Sequence, residues 1–184
     1  MADSGRSRRA DILAAAEHEF AAAGYSGARM ERIAAAAAVN KQLLFHYFGS
    51  KEGLFAAALA GLLAPLEPAP TNTSNSAAEL RMIITTLQAG ARTLPGLVGI
   101  VADSNANPDF PDGPRETVRS WLGRTRQRLV DAVADGQRRG YFRDDIDPAG
   151  VGQLALAAVL GAGAADGEPD PPVASFIADH CAWR

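Results

Sequence analysis

With 184 residues and 47% hydrophobic content, the chain is long enough for one domain or two small ones and too apolar to stay disordered. A net charge of −3 gives by itself no sign of a polyanionic partner, but the charge is unevenly spread. Residues 1–64 carry seven Lys or Arg against six Asp or Glu, whereas residues 65–184 carry eleven against fifteen. Both lysines, Lys41 and Lys51, fall in the first segment. Arg6, Arg8 and Arg9 read as a basic arm before the first helix, either seeking phosphates or simply disordered.

Cys181 is the single cysteine, so an internal disulfide is excluded and a reducing compartment is the natural reading. No apolar leader follows the N-terminus, and the longest apolar run, near residues 149–165, falls short of the roughly 18 residues of a spanning helix. A cytoplasmic protein without a membrane segment is expected. The sequon at Asn72 is read as chance.

Helical periodicity dominates, and no alternating strand pattern appears. Ile12, Leu13, Ala16, Phe20 and Ala23 form one face of a first helix from about residue 8, closed by Gly24. Met30, Ile33, Ala34 and Ala37 mark a short second helix. A break at Ala38 and Val39 leads to Asn40 as N-cap of a third helix that runs through Phe48. Gly49 ends it, and Ser50 opens a fourth, with Leu54, Phe55, Ala58, Leu59 and Leu62 as its buried stripe.

Residues 65–76, "PLEPAPTNTSNS", then read as a linker between two units. Leu80, Ile83, Ile84, Leu87, Ala91 and Leu94 form the next amphipathic face, which Pro95 breaks or kinks before a shorter apolar segment to Ala102. Residues 107–114 are a loop. A long helix follows, with Val118, Trp121, Leu122, Thr125, Leu129, Ala132 and Val133 facing inward, and it ends near Gly140. Asp147 caps a helix with Pro148 in its first turn, running to about residue 163 with almost no polar face. A helix apolar all round must be covered on all sides, so a second copy of the chain is the expected cover, with Gly152, Gly161 and Gly163 allowing close approach. Residues 172–184 are expected to complete that interface.

The third helix carries the chemistry. Two short helices joined by a tight turn, the second capped by Asn and loaded with Lys, Gln, His and Tyr, have the layout of a helix-turn-helix. Leu44 and Phe48 anchor it, which turns Lys41, Gln42 and Phe45 outward. Gln42 suits adenine edges and Lys41 guanine, while Phe45 suits a thymine methyl. Leu43 fits either the core rim or such a methyl. His46, Tyr47 and Lys51 suit phosphate oxygens, although His46 and Tyr47 also fit as packing residues with wet tips. Asn40 and Arg29 join this DNA-facing set.

Residues from about 8 to 61, through "ILAAAEHEFAAAGY" and "MERIAAAAAVNKQLLFHYFGSKEGLF", resemble the DNA-binding domain of the tetracycline-repressor (TetR) family of transcriptional regulators. The resemblance places the helix-turn-helix at about residues 31–48. "GQRRGYFRDDIDPAGVGQLALAAVLGA" is similar to the family's C-terminal half, where a helix after an Asp-Pro step contributes to a dimer interface. Two positions depart from the family pattern: Ala28 stands where Thr usually caps the second helix, and Ala38 where Gly usually makes the turn. A lost cap costs roughly 0.5–2 kcal/mol and a left-handed Ala on the order of 1 kcal/mol.

The enzyme reading lacks a GxSxG, a Gly-rich phosphate loop and an HExxH. His180 and Cys181 are adjacent, so on a helix they diverge by about 100°. Asp144, Asp145 and Asp147 lack the Gly and closing Glu of a calcium loop. No catalytic group, metal or cofactor is expected.

The expected architecture is all-α, about nine helices: a three-helix helix-turn-helix DNA-binding domain over 1–64, joined to a helical ligand-binding and dimerisation bundle over 65–184. The expected partners are a palindromic duplex operator and a second copy of the chain, paired through helices at about 148–165 and 172–184. The resemblance implies a small-molecule effector in the bundle and repression as the output. Met82, Phe110 and Trp121 are candidate walls of its pocket, each equally suited to the core. The alternative is a helix-turn-helix regulator controlled by a protein partner, with no pocket.

Overall fold

The structure, a computed structural model, describes residues 3–67 and 75–162. These residues form eight α-helices and one 3-10 turn: α1 (Asp3–Gly27), α2 (Met30–Ala36), α3 (Lys41–Phe48), α4 (Lys51–Leu63), the turn Ala64–Leu66, α5 (Ser76–Thr93), α6 (Pro95–Ala106), α7 (Asp112–Arg138) and α8 (Pro148–Ala162). The all-α reading holds. The ninth helix expected at 172–184 lies outside the described residues, as do His180, Cys181 and Trp183.

Most helix ends fall where the sequence places them. Asn40 Oδ1 accepts from Leu43 N at 2.9 Å and Ser50 Oγ from Gly53 N at 3.0 Å. Asn75 and Asp147 cap α5 and α8 in the same way, each side chain accepting from two backbone N–H groups. These bonds satisfy donors that the helices themselves leave open. Gly24, at φ 66 and ψ −178, kinks α1 where its end was expected, and the chain makes another turn to Gly27. At the other end α1 starts at Asp3, so the positions expected as an arm are helical, and Arg9 lies over the Phe48 ring at 5.2 Å. Pro95 separates two helices rather than kinking one, because it opens α6 in the first-turn position that needs no N–H.

The chain divides into two compact units by contact. The second takes in Leu66–Pro95 and the residues from Ser120 on; the first takes in the residues up to Pro65 together with Gly96–Arg119. Its core joins Ile12, Ala16 and Phe20 of α1, Ile33 of α2, Leu44 of α3, and Leu54, Phe55 and Leu59 of α4, all fully buried. Phe110, from the segment between α6 and α7, completes this core, with its ring 5.5 Å from Phe55 and 6.3 Å from Tyr25. Arg115 ties the same segment down by donating to the carbonyls of Ser104, Asn107 and Phe110.

In the second unit Leu80, Ile83 and Ile84 of α5, Trp121, Leu129 and Val133 of α7, and Ala155 of α8 are buried. The Ser76 hydroxyl donates to Asp135 across 2.5 Å, joining α5 to α7. Phe142 packs over Gly136, and Gln137 Nε2 donates to the carbonyls of Arg143 and Ile146, closing the loop into α8. Gly152 of α8 faces Val130 and the Arg126 carbonyl of α7, so its close approach is made within the chain.

Two glycines of α6 differ in what surrounds them. A Cβ on Gly96 would overlap the Ala21 carbonyl oxygen of α1, whereas a Cβ on Gly99 would meet nothing within 4 Å. Gly96→Ala must push two backbones apart and is expected to destabilise by at least about 1–3 kcal/mol. Gly99→Ala is expected to stabilise by up to about 1 kcal/mol through helix propensity. Denaturant melts of the two variants check this, and equal effects would contradict the α1–α6 approach.

Candidate nucleic-acid interface

The turn between α2 and α3 is made by residues of high helix propensity forced out of the helix. Ala37 N and Ala38 N bond back to the carbonyls of Ile33 and Ala35, and Val39 N reaches Ala34 O at 3.0 Å. Ala38 has φ 52, the one non-glycine residue with positive φ among those described. The left-handed conformation expected for that position is therefore adopted at alanine's steric cost. Asn40 then resumes extended backbone, φ −79 and ψ 154, and starts α3.

Ala28, the other departure, is buried and supplies no cap, and Arg29 at the N-cap of α2 makes no side-chain capping bond. A carboxylate from α1 does that work: Glu19 Oε1 accepts from Arg29 N at 3.0 Å and stands 3.5 Å from the Arg32 guanidinium. Ser26, close by, is instead within 3.4 Å of the Asn107 side-chain amide. The charged acceptor of a cap can thus come from a neighbouring helix, where no local pattern records it.

On α3, Leu44 is fully buried. The exposed residues are Lys41, Gln42, Phe45 and His46, spaced i, i+1, i+4 and i+5 along one face, with Phe45 42% exposed. Leu43, Tyr47 and Phe48 are half-buried at the edges of that face. The His46 and Tyr47 rings meet edge-on at 5.4 Å, which fixes both side chains beside the helix C-terminus. Four adjacent side chains therefore face away from the core: a cation, an amide, an apolar ring and an imidazole.

Two expected DNA-facing groups have other commitments. Asn40 Oδ1 is taken up by the cap, so this residue sets where α3 begins. Lys51 Nζ lies 3.4 Å from the Ser26 carbonyl and 4.9 Å above the Tyr25 ring. Burial pushes its ammonium pKa below the ordinary value, against an opposing pull from Glu19. Lys51 therefore lies between α4 and the end of α1, beside the Ser26 carbonyl and the Tyr25 ring. Lys41 is exposed but also partnered, hydrogen-bonded to Glu31 of α2 and 5.9 Å from the Phe45 centroid.

The three candidate pocket walls are not gathered in one unit. Phe110 belongs to the aromatic core of the first, which is its evident role; Met82, half-buried on α5, and Trp121, buried on α7, belong to the second. Trp121 Nε1 is the one buried side-chain polar atom without a hydrogen-bond partner among the described residues. No group of three or more His, Cys, Asp or Glu is placed to hold a metal ion among the described residues, and no described helix is long and apolar enough to cross a membrane.

Sequence reasoning missed Glu19 and Glu31. Each acts on a residue ten positions away through a turn, beyond the reach of helical spacing.

Comparison with known proteins agrees with this geometry. Residues 12–58 match the family model described as "Bacterial regulatory proteins, tetR family". The chain is 30% identical over 142 residues to the HTH-type transcriptional repressor NicS of Pseudomonas putida, covering 75% of this chain and 67% of that protein. It is 33% identical over 139 residues to the HTH-type transcriptional repressor SCO4008 of Streptomyces coelicolor, covering 75% and 69%. Among solved structures it is similar to AibR in complex with isovaleryl coenzyme A and operator DNA, with a TM-score of 0.70 at 20% identity over 94% of each chain. With its outward-facing α3 and relatives 30% and 33% identical over about two thirds of their length, the chain belongs to the TetR family of DNA-binding transcriptional regulators, which are not enzymes.

Proposed function

We propose that the protein is a cytoplasmic homodimeric repressor that holds a palindromic operator and releases it when a small molecule binds the second unit. The observation that carries the DNA side of this reading is the exposed quartet Lys41, Gln42, Phe45 and His46 on a helix anchored by Leu44. In a major groove Gln42 pairs with an adenine edge, Lys41 donates to guanine and Phe45 lies on a thymine methyl. His46, Tyr47 and the exposed Arg29 reach phosphates, which fix register without reading sequence. Twofold symmetry of the dimer sets half-sites about one helical turn apart. Lys41→Ala and Gln42→Ala are each expected to cost about 1–3 kcal/mol on the operator while leaving random duplex nearly unaffected. Fragment selection from random duplex followed by titration checks both, and sequence-blind losses would remove the base-reading role.

For the dimer, support comes from α8. Its buried positions include Gly152 and Ala155, whereas Leu154 is 58% exposed on a helix with almost no polar side chain. A second copy covering that face removes apolar area from water. Leu154→Arg is expected to shift the solution mass towards monomer at unchanged helix content and to weaken operator binding. An unchanged dimer mass would take Leu154 out of the interface.

For the effector, support comes from Trp121 Nε1, a buried donor with no acceptor among the described residues. Leaving such a group unpaired costs about 1–3 kcal/mol, so a ligand bringing an acceptor there gains that amount. AibR, with the same fold, has been seen with an acyl-coenzyme A and operator DNA together. Release requires that the ligand bind the free and DNA-bound states with different affinity. A thermal-shift screen is expected to find small molecules that stabilise the chain, by about 2.7 kcal/mol at a hundredfold excess over Kd, with the shift reduced in Trp121→Phe. A screen without any stabilising molecule favours control by a protein partner.

A further inference from the structure

We infer that Glu31 is a specificity-determining residue: its carboxylate holds Lys41 away from phosphates, so that this cation is released to a base edge only where the operator offers one. The inference rests on Lys41 reading a base. Lys41 is the first residue of the recognition helix and one of only two lysines in the chain. Its ammonium is hydrogen-bonded to Glu31 in the first turn of α2, and the Phe45 ring lies on its other side. Both members of the pair are solvent-exposed, with side-chain exposures of 47% for Lys41 and 66% for Glu31. In the first turn of α2 the carboxylate also meets the positive end of the helix dipole, a role that the glutamine variant separates from its pairing with Lys41 only in the Lys41→Ala background.

Near DNA its charge has a definite consequence. A carboxylate beside the groove repels phosphate oxygens, and it neutralises the one cation best placed to bind them indiscriminately. The hydrogen bond from Lys41 holds the Glu31 carboxyl below the usual carboxylate range, so the negative charge is present at any pH where duplex DNA is bound. An exposed ion pair is weak and yields to a geometrically matched acceptor such as the guanine O6 and N7 edge. A phosphate met in random register leaves the carboxylate both unpaired and repelled. Discrimination thus comes from the cost imposed on wrong duplexes as well as from the contact made on the right one.

The test uses the full chain, as wild type, Glu31→Gln, Lys41→Ala and the double variant, on the selected operator and on random duplex between 50 and 200 mM salt. Glu31→Gln frees one cation for phosphates. Binding to random duplex is expected to tighten, with a salt slope steeper by about 0.9, equivalent to a roughly threefold larger affinity change across that salt range. The operator-to-random ratio is expected to fall, and in the Lys41→Ala background the Glu31 substitution is expected to leave the slope unchanged. An unchanged slope and ratio in Glu31→Gln, or an equal change with and without Lys41, overturns the inference while leaving the DNA-binding reading in place. A Lys41→Ala variant that keeps full operator selectivity overturns both the base-reading role of Lys41 and the inference built on it.

Discussion

An eight-residue helix does not hold its shape in water, and α3, the helix proposed to face DNA, is such a helix. Its stability comes from outside: Leu44, fully buried, contributes about 1.5–3 kcal/mol of transfer free energy, and the Asn40 cap adds about 1 kcal/mol. The burial of one leucine is therefore the larger effect, and it also sets the rotation of the helix. With Leu44 inward, Lys41, Gln42, Phe45 and His46 are outward together. A rotation about the helix axis would bury a charge or an amide without a partner, which costs more than the cap returns.

That dependence runs back through the first unit. Leu44 is buried with Ile33 of α2 and with Leu54 and Phe55 of α4, and the Phe55 ring packs at a tilt against Phe20 of α1, 4.7 Å between centroids. Phe110 closes the same core from a segment far along the chain, held by the grip of Arg115 on three carbonyls. The DNA-binding unit is thus completed by residues beyond its own four helices. Helix α7 begins in the first unit and continues, unbroken, into the second, with the division between Arg119 and Ser120.

Charge is handled sparingly throughout. The Glu19 carboxylate accepts from Arg29 N at the start of α2, Glu31 pairs with Lys41 at the start of α3, and Lys51 lies beside the Ser26 carbonyl and the Tyr25 ring. A region with seven basic and six acidic residues cannot rely on bulk positive potential to find DNA. Where each cation is held then matters, and the pairing of Glu31 on α2 with Lys41 on α3 sets that for Lys41.

Residues close in sequence made much of this protein legible from the sequence alone. Periodicity at three and four positions gave the helices and most of their buried faces, and Asn40, Ser50 and Asp147 marked helix starts because a cap bonds only two or three residues away, although the same cap at Asn75 was read as linker. The recognition face could be read for the same reason, since one buried leucine orients eight residues. Only the tertiary structure assigned α6 and Phe110 to the first unit, set Lys51 beside the Ser26 carbonyl and the Tyr25 ring, and paired Glu19 with Arg29 and Glu31 with Lys41. Each of these depends on atoms brought together across a turn or from distant helices. Local propensity carries no record of such meetings, because they exist only once the helices have packed.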